Sequence, residues 1–224
     1  TNFVANNLPG GISVLAIAEK GNLLKAPETY MNKIATGKID KGLIDLDYPL
    51  KKNIQNLSDF KNKEISSITV CVMDRPRHKK IINKLKDLNV NIKLITDGDV
   101  LGAIYVSDPK FNVDMYLGIG GGPEGVLAGS ALDAFGCFFQ GRFIFDNDKN
   151  ISEAKKMGIT DLDKKYELSE IIKGDSIFCA TGITSSEVLA GIKIKEDKYI
   201  SETFVTHKNS NFKKIIKKTN LVNE

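Results

Sequence analysis

Two regimes of hydrophobic patterning divide the chain. From about residue 65, short apolar runs alternate with stretches whose apolar residues return every three or four positions. The first kind reads as a buried strand, the second as an amphipathic helix. A strand over 68–73 precedes a helix whose apolar face is Ile81, Ile82, Leu85 and Leu88. A strand over 92–95 precedes a shorter helix from Val100. A strand over 113–119 precedes a helix over 126–138, and one over 176–180 precedes a helix around Val188 and Leu189. This alternation predicts an α/β layered domain with a largely parallel sheet. The opening differs. A polar turn over 6–11 leads into a strand over 12–18, Glu19-Lys20-Gly21-Asn22 reads as a hairpin turn, and Leu23-Leu24-Lys25 starts a returning strand. Residues 37–63 are rich in Asp, Lys and Asn and predict irregular chain with a domain boundary. The expected division is 1–64 and 65–224.

Composition narrows the class. Over 224 residues, 42% are hydrophobic and 27% charged, as expected of a soluble globular chain with a sizeable core. No apolar run is long enough to span a membrane. Thr1-Asn2-Phe3 shows neither an initiator Met nor the start of a signal peptide, so the chain reads as a fragment or a processed product. A net charge of +4 is too mild to argue for nucleic acid. Lys213, Lys214, Lys217 and Lys218 read as a solvated helix face. Cys71, Cys137 and Cys179 lie in apolar stretches without a C-x-x-C pair, which suits reduced core thiols of a cytosolic protein. His78 and His207 are too scattered for a histidine-based metal site.

The chemistry gathers where strands end. Ligands of open α/β sheets bind beyond the carboxyl ends of the strands. Four such ends carry Asp74-Arg75-Pro76-Arg77-His78, Asp97-Gly98-Asp99, Gly120-Gly121-Gly122-Pro123-Glu124-Gly125 and Thr181-Gly182-Ile183-Thr184. Singly, each is an ordinary cap or turn. Together they suggest one composite site. Two guanidiniums around a rigid proline suit phosphate oxygens. Two carboxylates around a glycine suit sugar hydroxyls.

The glycine loop has two readings. Gly120, Gly122 and Gly125 match G-x-G-x-x-G, and Asp146 lies about where a dinucleotide fold places its acidic residue. Glu124 opposes that reading, because a carboxylate at a helix N-terminus repels a pyrophosphate unless a cation sits beside it. No Gly-Lys-Ser/Thr follows, so an ATP P-loop is excluded. Paired arginines, paired aspartates and a metal-ready glutamate point to a phosphorylated sugar and, with metal, to phosphate-ester hydrolysis.

The ordered motifs resemble class II fructose-1,6-bisphosphatases, within the lithium-sensitive, metal-dependent sugar phosphatase superfamily. The resemblance runs from Thr1 to about Lys218. It is carried by residues 2–16, Ala26-Pro27-Glu28-Thr29-Tyr30-Met31, the Arg75 and Asp97 loops, 118–125, and Ala180-Thr181-Gly182-Ile183-Thr184. It implies the layered α/β sugar-phosphatase fold of the inositol monophosphatase/fructose bisphosphatase type, N-terminally truncated. Residues 1–64 would be the remainder of the metal and catalytic domain, and 65–224 the substrate-binding domain. Thr1 would close an acidic metal motif and serve in catalysis and substrate binding. Tyr30, Arg75, Pro76, Arg77, Asp97, Gly98, Asp99 and Gly121 would bind substrate, and Glu124 would ligate Mn²⁺ or Mg²⁺, with Mn²⁺ favoured. The remaining ligands would lie upstream, so the chain alone is expected to be inactive.

The implied activity is hydrolysis of the 1-phosphate of fructose 1,6-bisphosphate in cytoplasmic gluconeogenesis and glycerol metabolism. Sedoheptulose 1,7-bisphosphate is a further expected substrate. The expected partners are a small sugar bisphosphate and further copies of the chain, with neither nucleic acid nor membrane. The competing readings are an NAD-dependent oxidoreductase built on the glycine loop and a non-catalytic sugar-phosphate binder.

Overall fold

The computed structural model describes residues 5–6, 8–96 and 98–221. Among the described residues, β1 (Ile12–Ala18) is the first strand and β2 (Tyr30–Thr36) follows. β3 (Thr69–Met73), β4 (Asn91–Ile95) and β5 (Met115–Gly121) come next, then β6 (Phe138–Ile144) and β7 (Lys165–Glu167). Six of these strands form one sheet in the order β4-β3-β5-β2-β6-β7. β3 runs parallel to β4 and β5, whereas β2 is antiparallel to both β5 and β6. A second, antiparallel sheet has the order β1, β8 (Ser176–Gly182), β10 (Lys198–His207), β11 (Phe212–Leu221), with β9 (Lys193–Lys195) paired to the start of β10.

Period-two alternation on β2 explains how the six-stranded sheet is buried on both faces. Met31 and Ala35 face one core and Ile34 the other. The first core fills the space between the sheets. There α3 (Asp99–Ile104) and α4 (Gly122–Asp133) pack against Tyr116 and Phe139 on one side and Phe178 and Ala180 on the other. The second core lies under α1 (Leu50–Lys61) and α2 (Lys79–Asp87), whose Ile54, Leu57, Ile82 and Leu85 cover Val70 and Val72 of β3. Because α4 is sandwiched, it is built from small residues. A Cβ on Gly129 would lie 3.3 Å from Ile171 in α6 (Leu168–Ile171). α5 (Asp148–Lys156) starts at an Asn147 side chain that accepts from the Asn150 N–H.

Several expectations need correction. The six-stranded sheet is mixed rather than largely parallel, because β2 inserts antiparallel between β5 and β6. Leu23-Leu24-Lys25 is not a returning hairpin strand: β1 pairs with β8, and Leu23 makes only a single bridge to Ile172. Residues 37–63 contain α1 instead of being irregular throughout. The expected helix over 126–138 begins earlier and ends before Phe138, which opens β6. Val188 and Leu189 are buried in a loop, not a helix. The Lys213–Lys218 segment lies in strand β11, not on a helix. A boundary at residue 64 separates neither sheet from the other, since β1 and β2 each pair with strands from beyond it.

Candidate active site

Three of the four strand-end loops meet at one pocket. It has a volume of about 590 Å³ and opens beyond the ends of β3 and β5 and the start of α3. Tyr30, Arg75, Arg77, Gly98, Asp99, Gly121 and Glu124 all line it. Pro76 does not reach it; this exposed residue opens a short 3₁₀ turn over Pro76–His78 that runs into α2, so its ring fixes the turn that carries both arginines. Thr1 and Asp97 lie outside the described residues. The fourth loop belongs to the other sheet and acts at one remove. Its Thr184 hydroxyl accepts from the Gly11 N–H at 2.7 Å and donates to the Leu8 carbonyl at 2.6 Å, holding the Gly10-Gly11 turn on the pocket wall. That turn was visible in the sequence only as a polar break.

The glycines of the 120–125 loop serve close packing. None of Gly120, Gly121, Gly122 and Gly125 has a positive φ. A Cβ on Gly120 would overlap the Asp99 carboxylate, and one on Gly121 would overlap that of Glu124. On Gly125 it would lie 2.6 Å from Met31 Sδ, and on Gly122 2.8 Å from the Phe143 ring. The space a dinucleotide fingerprint leaves for pyrophosphate is thus filled by the protein's own side chains, two of them anionic. Gly98 is different: its φ of 91° is a left-handed conformation that glycine enters without strain, and it turns the chain into α3.

Beneath the pocket lies a buried network that sequence reading did not find. The Asp99 carboxylate accepts from the Tyr116 hydroxyl at Oδ1 and from the Lys33 ammonium at Oδ2. The same ammonium donates to the Gly121 carbonyl at 2.6 Å. Lys33 and Tyr116 are fully buried and Asp99 is 8% exposed. Burial pushes the Lys33 pKa down, opposed by the attraction of Asp99. Burial, reinforced by the Asp99 charge, holds the Tyr116 hydroxyl well above its ordinary value, so it stays a donor. Asp99, expected to meet a sugar, therefore has both oxygens engaged from within.

His78 joins the Arg loop to β5. Its Nε2 accepts from the Ile119 N–H at 2.7 Å, so the proton must sit on Nδ1, which donates to the Met73 carbonyl at 2.8 Å. Burial lowers its pKa, in keeping with the neutral ring. Arg77 is aimed by two contacts. Its Nε donates to the Ile119 carbonyl at 2.9 Å, and its guanidinium stands 4.9 Å from the centre of the Tyr30 ring.

Glu124, the exposed residue of the otherwise covered first turn of α4, is the described carboxylate best placed for a cation at this pocket. It also borders an adjoining pocket of about 370 Å³ with Glu28 and Asp146. Among the described residues no three His, Cys, Asp or Glu side chains converge as a metal site. These residues therefore do not form a metal centre by themselves; at most they contribute a donor to one. Cys71 is buried with its thiol pushed up to about 12 by desolvation, and no described pair of cysteines is bonded.

By fold and site this is a layered α/β protein with two arginines and two carboxylates around a pocket at its strand ends. More narrowly, residues 1–220 match the family described as bacterial fructose-1,6-bisphosphatase, glpX-encoded, and the chain belongs to that family. Among curated relatives, a D-fructose 1,6-bisphosphatase class 2/sedoheptulose 1,7-bisphosphatase of Synechococcus sp. (strain JA-3-3Ab) is 38% identical over 223 residues, covering 94% of this chain and 64% of the relative. Proteins of the same name from Trichodesmium erythraeum (strain IMS101) and Microcystis aeruginosa (strain NIES-843 / IAM M-2473) are 36% and 37% identical, each over 86% of this chain and 60% of the relative. The chain thus spans less than two thirds of the length of these relatives. No described helix is long and apolar enough to cross a membrane.

Proposed function

We propose that the pocket binds a sugar bisphosphate and that the protein hydrolyses the 1-phosphate of fructose 1,6-bisphosphate, giving fructose 6-phosphate and inorganic phosphate. Sedoheptulose 1,7-bisphosphate is the second substrate in this reading, and the relatives' names support both. The observation that carries it is the meeting of Arg75 and Arg77 with Asp99, Gly121 and Glu124 around one pocket. The arginines hold the phosphate that is not cleaved. Gly98 and Asp97 present the sugar side, with Asp99 as the wall that shapes it. Tyr30 stacks under Arg77 and keeps its fork turned to the anion. Thr1 is assigned to the reacting phosphate.

Glu124 contributes one carboxylate to a divalent cation, Mn²⁺ or Mg²⁺, whose other ligands come from outside the described residues. When bound, such a cation activates water and neutralises phosphoryl oxygens. In this reading the protein works in the cytoplasm as a homo-oligomer, in gluconeogenesis and glycerol metabolism, with no nucleic-acid partner.

Calorimetric titration tests the site. Fructose 1,6-bisphosphate should bind saturably, and Arg77→Ala should weaken it by about 1.5–3 kcal/mol, the scale of hydrogen bonds to charged groups. Tight NADH binding with no response to the sugar bisphosphate would overturn the assignment.

A further inference from the structure

Lys33 lies in the middle of β2, where both neighbours in register are glycines: Gly118 on β5 and Gly141 on β6. The space these glycines leave is taken by His78, whose Nε2 would lie 3.2 Å from a Cβ on Gly118, and by Met31, whose Sδ would lie 2.5 Å from one on Gly141; the Lys33 stem runs to the helix layer, where a Cβ on Gly125 would come within 3.1 Å of its Cε. Its ammonium reaches two different loops. It donates to Asp99, the first residue of α3, and to the carbonyl of Gly121, the residue that caps α4. Glu124 sits in the turn that this cap starts, with its carboxylate folded back over Gly121.

A buried ion pair is a poor way to add stability, because desolvation offsets most of the attraction. Its recurrent use is to fix one arrangement among several. Here the arrangement is the separation of two loops that both bear negative charge and that both line the pocket. Without a cation between them, the Asp99 and Glu124 carboxylates would repel each other and any incoming phosphate. Lys33 is attracted to both.

We propose that Lys33 is the positioning residue of this site: its buried ammonium ties the Asp99 loop to the Glu124 loop and holds the pocket at the width that accepts a sugar phosphate. The ligand half of this inference rests on the proposed function; the loop half does not.

The test uses Lys33→Met, which keeps the length of the side chain and removes its charge. Hydrogen exchange should accelerate at least about tenfold in both 98–102 and 120–124, the scale of losing hydrogen bonds to a charged group. The loop residues 45–47, which exchange by local opening, should keep their native rates. Affinity for fructose 6-phosphate should fall by at least about tenfold. Lys33→Arg, which retains the charge, should recover part of both. Acceleration in only one loop, acceleration at 45–47 as large as in the two loops, or native protection in both loops would overturn the inference. If the unaltered protein fails to bind fructose 6-phosphate, the functional reading falls while the exchange data still decide the role of Lys33. Should Lys33→Met not fold, Lys33→Met/Asp99→Asn removes both charges and retains a partner for Tyr116. It should fold with 120–124 still exchanging fast, and native protection there would overturn the inference.

Discussion

Two ion-pair clusters reach the β2–β6 half of the same sheet, and they differ chiefly in their access to water. The inner one is Lys33, Asp99 and Tyr116 beneath the pocket. The outer one joins the loop after β2 to β6 and β7. There Arg142 grips Asp47 with two hydrogen bonds, of 2.7 and 3.1 Å, and Lys165 reaches Asp45 at 2.5 Å and Asp47 at 2.9 Å. The outer geometry is the more regular, a bidentate fork of the kind that pairs well. Yet Asp47 is about half exposed, so water and salt screen most of its attraction. The inner groups have no such screen. A charge there is tolerable only while its partner remains. The comparison teaches that number and regularity of contacts do not rank ion pairs; the environment of the charges does. It also shows where this chain accepts a buried charge: at the meeting of two pocket loops.

The comparison breaks most easily at Lys33. Lys33→Met leaves Asp99 buried without its cation and should destabilise the fold by about 3–5 kcal/mol in urea unfolding. Adding Asp99→Asn should restore most of that. A loss below about 1 kcal/mol would mean that the inner pair behaves like a surface pair. Tyr116→Phe removes one donor to the same carboxylate and should cost about 1.5–3 kcal/mol.

His78 sharpens the comparison through pH. Its pKa in the fold lies below the ordinary 6.5, so the unfolded chain takes up the proton first. Its neutral form supports the fold fully above pH 6.5, and that support is lost as pH falls through the lowered folded value. Unfolding midpoints should therefore drop between pH 7.5 and 5.5 more steeply for the native protein than for His78→Asn. Equal slopes would remove the imidazole from the interior.

The smallest effect belongs to the outer cluster. Asp47→Asn should cost less than about 1 kcal/mol, and half-molar salt should erase most of it. The Asp47 pKa is lowered to about 2, first by the Arg142 hydrogen bonds and then by Lys165. Its contribution is therefore complete above about pH 4 and disappears only as pH falls through about 2.

Much of this site was legible before the fold was known. The loops after β3, β4 and β5 follow strands whose apolar runs are unmistakable, and the rule that ligands gather at strand ends brought Arg75, Arg77, Gly98, Asp99 and Glu124 into one group. Lys33 was not legible, because its role depends on register. Gly118 and Gly141 stand far from it in sequence, and nothing local marks Met31-Asn32-Lys33-Ile34 as the floor of a pocket. The placement of β2 between β5 and β6 was hidden for the same reason. α1 did leave a signal, since Leu50, Ile54 and Leu57 return at helical spacing, but the surrounding Lys, Asn and Asp diluted it. β11 defeated pattern reading in the opposite way. Its lysines lie on a largely exposed hairpin strand, where no core imposes alternation. The Asp99 role was half visible: a carboxylate at a strand end was found, and its inward engagement by Tyr116 and Lys33 was not.

The most direct measurement is a ¹⁵N–¹H NMR titration of this chain with fructose 6-phosphate, reading both clusters at once. Saturable shifts should appear at Tyr30, Arg75, Arg77, Gly98, Gly121 and Glu124, should need roughly ten- to a hundredfold more ligand in Arg77→Ala, and should leave Asp47, Arg142 and Lys165 unmoved. Shifts centred on the outer cluster, or none at the pocket at millimolar ligand, would contradict the assignment of this pocket to a sugar phosphate.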